Sequence, residues 1–245
     1  MFQLKNLVKA RAVVMALVLG VAGILRADQI TTAVNFGPWQ VGSGGEFTVT
    51  PDAPLAALIA GYSPLASGQV PSASFNFQTF CLERNEYITP NTTFDVTLNN
   101  VTVFTGDPLS AGAAYLYSEF AKGTLTDNNG NSYNYLNLPG ASRTVGFLDS
   151  ALFLQNAIWY LMNPNMMGGQ ENNPFVLKAN QALGGAANAL APDNGAHGVA
   201  VMNLWTPGQP HDAQHTWQDL LVLVPEPSAL ALFSVASLLF LRKRK

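Results

Sequence analysis

The chain has 245 residues and a formal net charge of −3, but eight of its twelve Lys and Arg lie in its two ends. Between those ends, residues 28–224 carry four Lys and Arg against fourteen Asp and Glu, a net charge of −10. A surface of that sign repels phosphate backbones, so no nucleic-acid partner is expected. About 200 residues suffice for one domain that buries roughly 70% of its unfolded-chain surface.

Lys5, Lys9 and Arg11 precede an apolar run over residues 12–25. The run is short for a bilayer span and suits the core of a secretory signal peptide, with cleavage expected after Ala27. Residues 1–27 are then removed, and the mature chain begins near Asp28.

Period-two alternation of β-branched and aromatic residues predicts strands over residues 46–50 and 74–82, the second through Phe75, Phe77 and Thr79. The Pro, Gly and Ser between 51 and 74 predict a long surface loop. Residues 93–104 alternate through Phe94, Val96, Leu98, Val101 and Val103, with Asn99-Asn100 as a turn or bulge, and are expected to pair with the strand carrying Cys81. Asp107-Pro108 is expected to cap and open a helix that Gly123 closes. A second helix is predicted over 144–162, ending before Pro164, with Leu148, Leu152, Gln155, Trp159 and Met162 on one stripe. A third is expected from Asn173-Pro174 to Gly184-Gly185, and strands over 199–205 and 217–224. Strands, then helices, then strands predict an α+β domain over 28–224, a β-sandwich or barrel-like sheet with an inserted helical subdomain.

After Val224 the sequence reads Pro225-Glu226-Pro227, an apolar stretch over 228–241, and then Arg242-Lys243-Arg244-Lys245. The basic cluster favours a cytoplasmic end. These three parts, over residues 225–245, resemble the PEP-CTERM sorting signal. The resemblance implies recognition and cleavage by an exosortase, a membrane protease of Gram-negative bacteria that make exopolysaccharide. The expected route is an inner-membrane intermediate, then the cell envelope or extracellular matrix.

The single cysteine, Cys81, excludes an intramolecular disulfide and leaves an unpaired thiol in an exported chain. Phe80-Cys81 and the run Gln155-Asn156-Ala157-Ile158-Trp159 together resemble the two signatures of bacterial surface thioester domains, an aromatic residue before Cys and a Thr-Gln-x-Ala-Ile-Trp helix. Leu154 stands where that pattern has Thr. The resemblance implies that the Cys81 sulfur attacks the Gln155 carboxamide, that ammonia leaves, and that the thioester captures a nucleophile on exopolysaccharide or a surface-protein amine. Phe80, Trp159 and Tyr160 are the expected apolar walls against water.

Two other classes stand beside this reading: a non-covalent structural matrix protein, in which Cys81 and Gln155 are ordinary buried residues, and a secreted hydrolase using Glu83 and Glu86. Asn91-Thr92-Thr93 matches a glycosylation acceptor, a pattern of little force in a bacterial exported chain. No cofactor is expected. No metal is expected at His211 and His215 either, since their spacing of four suits a helix whereas Pro207, Gly208 and Pro210 predict a loop. A turnover enzyme is not expected.

Overall fold

The computed structural model describes residues 28–37, 40–42, 44–59, 76–133 and 147–224. Residues 1–27 and 225–245, the expected signal peptide and sorting signal, lie outside this set. Among the described residues, no helix is long and apolar enough to cross a membrane.

The domain is α+β. Six strands form one antiparallel sheet: β1 (Asp28–Thr32), β2 (Phe47–Pro51), β3 (Phe77–Thr79), β4 (Thr93–Asn99), β5 (Val199–Trp205) and β6 (Leu220–Leu223), in the order β3-β2-β1-β4-β5-β6. Its two edges turn toward each other and nearly close a barrel. At this seam Cys81 bridges Leu220, Leu82 N donates to Asp219 O at 3.0 Å, and Thr79 Oγ1 donates to Leu221 O at 2.6 Å while accepting from Leu221 N at 3.0 Å. Near-closure leaves few unpaired strand groups for another chain to add to.

The helices α2 (Ala111–Lys122), α3 (Phe147–Met162), α4 (Pro174–Leu183) and α5 (Ala186–Leu190) are inserted between β4 and β5. The apolar face of α2, with Ala113, Leu116, Tyr117 and Phe120 buried, joins this layer to the sheet, and its Tyr117 Oη donates to Gln78 O at 3.0 Å. Asn173 caps α4 by accepting from Phe175 N at 3.0 Å, and its Nδ2 donates to Phe153 O at 2.9 Å, so one side chain fixes α4 against α3.

Several expectations are corrected. Thr93–Asn99 pairs with β1 and β5 rather than with the Cys81 strand, because Asp28–Thr32, a strand too short and polar to read from periodicity, takes that position. The helix begins at Ala111 with Ser110 as its cap, accepting from Ala113 N at 3.2 Å; Pro108 bridges Val101 instead. The region expected to be all loop after residue 51 opens with a short helix, α1 (Ala53–Leu58), where Asp52 caps and Pro54 sits in the first turn.

Candidate functional site

The segment before β2 is Gln40-Val41-Gly42-Ser43-Gly44-Gly45. Gln40 Nε2 donates to Gly42 O at 2.6 Å and Gly44 O at 3.1 Å, and Val41 bridges Gly44. The result is a tight turn that directs the Gly45 N–H inward. A Cβ at Gly44 would overlap Cγ of Gln155 and lie 2.9 Å from its Cδ; one at Gly45 would lie 2.7 Å from Thr79 O. Glycine is therefore required here by close backbone approach, which two consecutive glycines ahead of a strand can signal in a sequence.

Gln155 comes from the opposite side, on α3, and is only 1% exposed. Its Oε1 accepts from Gly45 N at 2.8 Å and Cys81 N at 3.1 Å, and its Nε2 donates to Cys81 O at 2.9 Å. The carboxamide thus lies against the backbone of Cys81, a residue 74 positions away, with two N–H groups converging on its carbonyl oxygen. Cys81 is 3% exposed. Burial pushes its thiol well above the ordinary range; the Gly45 N–H pulls it down, and the charge of Glu86 raises it again. A pair of donors such as that on Gln155 Oε1 polarises a carbonyl and stabilises negative charge developing on its oxygen.

The surrounding residues are apolar. Phe80, Ala157 and Ile158 are fully buried, Trp159 nearly so, and Tyr160 is half-buried against the core. Phe80 meets Phe120 edge-on with ring centroids 5.0 Å apart. Among the described residues Trp159 Nε1 has no hydrogen-bond partner. The predicted stripe on α3 is shifted: the buried face runs through Ala151, Leu154, Gln155, Ile158 and Trp159, whereas Leu152 is 40% exposed. The side chain of Leu148 lies outside the described residues.

On the other side of the Cys81 segment, Glu83 and Glu86 meet Asp219, which spacing in the sequence did not reveal. Burial, the adjacent Glu83 carboxylate and the charge of Asp219 raise the Glu86 carboxyl; burial and Glu83 raise Asp219 against the donors Asn203 and Val103. The two histidines do not converge. His215 Nδ1 pairs with Asp212 Oδ1 at 2.7 Å, while His211 stacks on Trp205 with centroids 4.8 Å apart.

No family model, curated protein or solved structure matches the chain.

Proposed function

We propose that this is an exported cell-surface or exopolysaccharide-matrix protein whose domain holds Cys81 and Gln155 for an internal thioester, able to acylate one nucleophile on a surface target. The observation that carries this reading is the Gln155 carboxamide, buried against Cys81 with Gly45 N and Cys81 N both donating to Oε1. In the proposed step the sulfur attacks Cδ and negative charge moves onto Oε1, where the two N–H groups stabilise it. The C–N bond then breaks and ammonia departs carrying the thiol proton, leaving a Cys81–Gln155 thioester. An incoming amine or hydroxyl would take the acyl group and return the thiol. Backbone donors fill the polarising role, so Leu154, wholly buried and without a hydroxyl, is no obstacle to it. Export and exosortase processing rest on the sequences of the two ends.

A second reading has its own observation. All three hydrogen bonds of Gln155 bind the backbone on either side of it, so the carboxamide also serves as a latch between the glycine turn and the Cys81 segment. On that reading the protein is a non-covalent matrix component. The intact mass of the purified chain separates the two. A mass short by one ammonia, which rises by one whole methylamine on amine treatment with simultaneous release of an alkylatable thiol, supports the thioester. A full-mass chain whose Cys81 labels completely on unfolding without amine treatment sinks it.

A further inference from the structure

The loop that follows Cys81 carries Glu83 and Glu86, and Asp219 immediately precedes β6; one oxygen from each lies within 4.8 Å of the others. Glu83 and Asp219 are held from outside this set, and Glu86 by the backbone of Asp219. Glu83 Oε1 accepts from Thr105 N at 3.1 Å and Thr105 Oγ1 at 2.7 Å. Asp219 Oδ2 accepts from Val103 N at 2.6 Å and its Oδ1 from Asn203 Nδ2 at 3.0 Å. Glu86 Oε2 accepts from the Asp219 N–H at 3.4 Å. Donors of this kind orient carboxylates from behind, as the outer shell of a metal site does.

A second observation concerns what the cluster lacks. Glu83 is only 9% exposed, and its Oε2, out of contact with water, receives no hydrogen bond. Arg84 is the nearest basic residue in sequence, but its Nη1 donates to Met166 O at 3.4 Å. Among the described residues the only ion pair is His215–Asp212, so these acids have no Lys or Arg partner there. A buried carboxylate oxygen with no donor is unfavourable unless a positive charge meets it.

We propose that Glu83, Glu86 and Asp219 bind a calcium-sized divalent cation. Oxygens on opposite sides of a calcium ion bound at about 2.3–2.6 Å lie about 5 Å apart, which matches the spread of this set. An all-oxygen donor set selects a hard cation over zinc or copper. Magnesium requires a tighter and more regular octahedron. The ion would join the loop after Cys81 to the strand that Cys81 bridges, reinforcing the seam at its polar side. This inference is independent of the thioester reading.

The alternative occupant is a proton shared among the carboxylates, and one experiment separates the two. The full chain is stripped with chelator and titrated with calcium chloride, with magnesium chloride at matched ionic strength as control, while thermal unfolding and heats of binding are followed. The expected result is one saturable calcium site that raises the melting temperature more than magnesium does. Glu86→Gln removes a half-buried ligand from a loop and should weaken calcium binding by about tenfold or more. Without calcium that variant should melt at or above the wild-type temperature, because the amide relieves the crowding of three carboxyl groups. No calcium response in the wild type beyond the magnesium effect overturns the proposal in favour of shared protons. An equal response in Glu86→Gln and wild type overturns it too, assigning calcium to the general acidic surface. If Glu86→Gln fails to fold, Glu83→Gln is read in the same way.

Discussion

Thr79 closes the sheet onto Leu221 through its side chain: Oγ1 both donates to Leu221 O and accepts from Leu221 N, extending the backbone pairing that Cys81 and Leu82 make at the seam. Thr79→Val keeps the shape and leaves two buried backbone groups unpaired, at a cost of about 2–4 kcal/mol. Thr79→Ser retains the hydroxyl and should cost about 1 kcal/mol or less. Urea unfolding of the two variants measures the difference; equal losses would mean that the hydroxyl does not hold the seam.

The glycine turn makes a steric prediction. Gly44→Ala and Gly45→Ala each force the Gln155 side chain or the Thr79 carbonyl to move and should cost about 1–3 kcal/mol. Gly168→Ala is the control, since a Cβ there meets nothing within 4 Å, and it should stay within about 0.5 kcal/mol of wild type. Chemical denaturation of all three checks the contrast.

Because Gln155 binds the backbone of Cys81, the two side chains can be separated energetically. A thioester closing this 74-residue separation restrains the unfolded chain by about 4 kcal/mol. With it, Cys81→Ala should lose about that amount, and the double variant with Gln155→Ala should be little worse than Gln155→Ala alone. Without it, Cys81→Ala leaves every Gln155 hydrogen bond intact and costs only about 1 kcal/mol, and the two losses add. We expect the non-additive result, measured as a double-mutant cycle.

A pH series asks the same question differently. Burial holds the proton on a free Cys81 thiol above its ordinary range, whereas an unfolded chain releases it near pH 8.5. Above that pH the folded state binds the extra proton, so stability falls as pH rises, by about 1.4 kcal/mol per unit. An acylated sulfur has no proton to lose in either state. The stability difference between wild type and Cys81→Ala should therefore stay constant between about pH 8 and pH 10 if the thioester is present; a loss of about 2 kcal/mol over that range would indicate a free thiol.

For export, replacing Pro225, Glu226 and Pro227 by alanines in a host with an exosortase should leave the chain membrane-retained with its basic tail. Cell fractionation with an antibody against the domain reads this directly, and unchanged release would remove the sorting assignment.

Much of this fold is legible in sequence where one physical signal dominates. Val199–Trp205 is apolar but for Asn203 and is a strand over those same bounds. Phe147–Met162 ends where Pro164 forbids continuation. Long-range pairing is not legible. Local logic joins residues 93–104 to the nearby Cys81 strand, whereas β1, from the far end of the domain, takes the place beside β4. The same limit applies to the site. Phe80-Cys81 and Gln155 are visible as motifs, but Gly45 and Asp219, which complete the two clusters around Cys81, lie just ahead of distant strands; Gly44-Gly45 marks a close approach without naming what approaches, and Asp219 carries no local mark of a partner.

The sheet order also sets a timetable. Thr79 and Leu221 are 142 residues apart, and β6 ends at Leu223, two residues before Pro225. Loop closure over such a separation is slow and entropically costly, and it cannot begin until the last strand has been delivered. Until then β3 and β5 both present open strand edges, a state prone to pairing with other chains. Leu220 and Asp219 arrive with that strand, so the surroundings of Cys81 are finished only as the final residues of the domain emerge. A chain stalled or truncated a few residues early would carry every motif of the site and none of its completed enclosure.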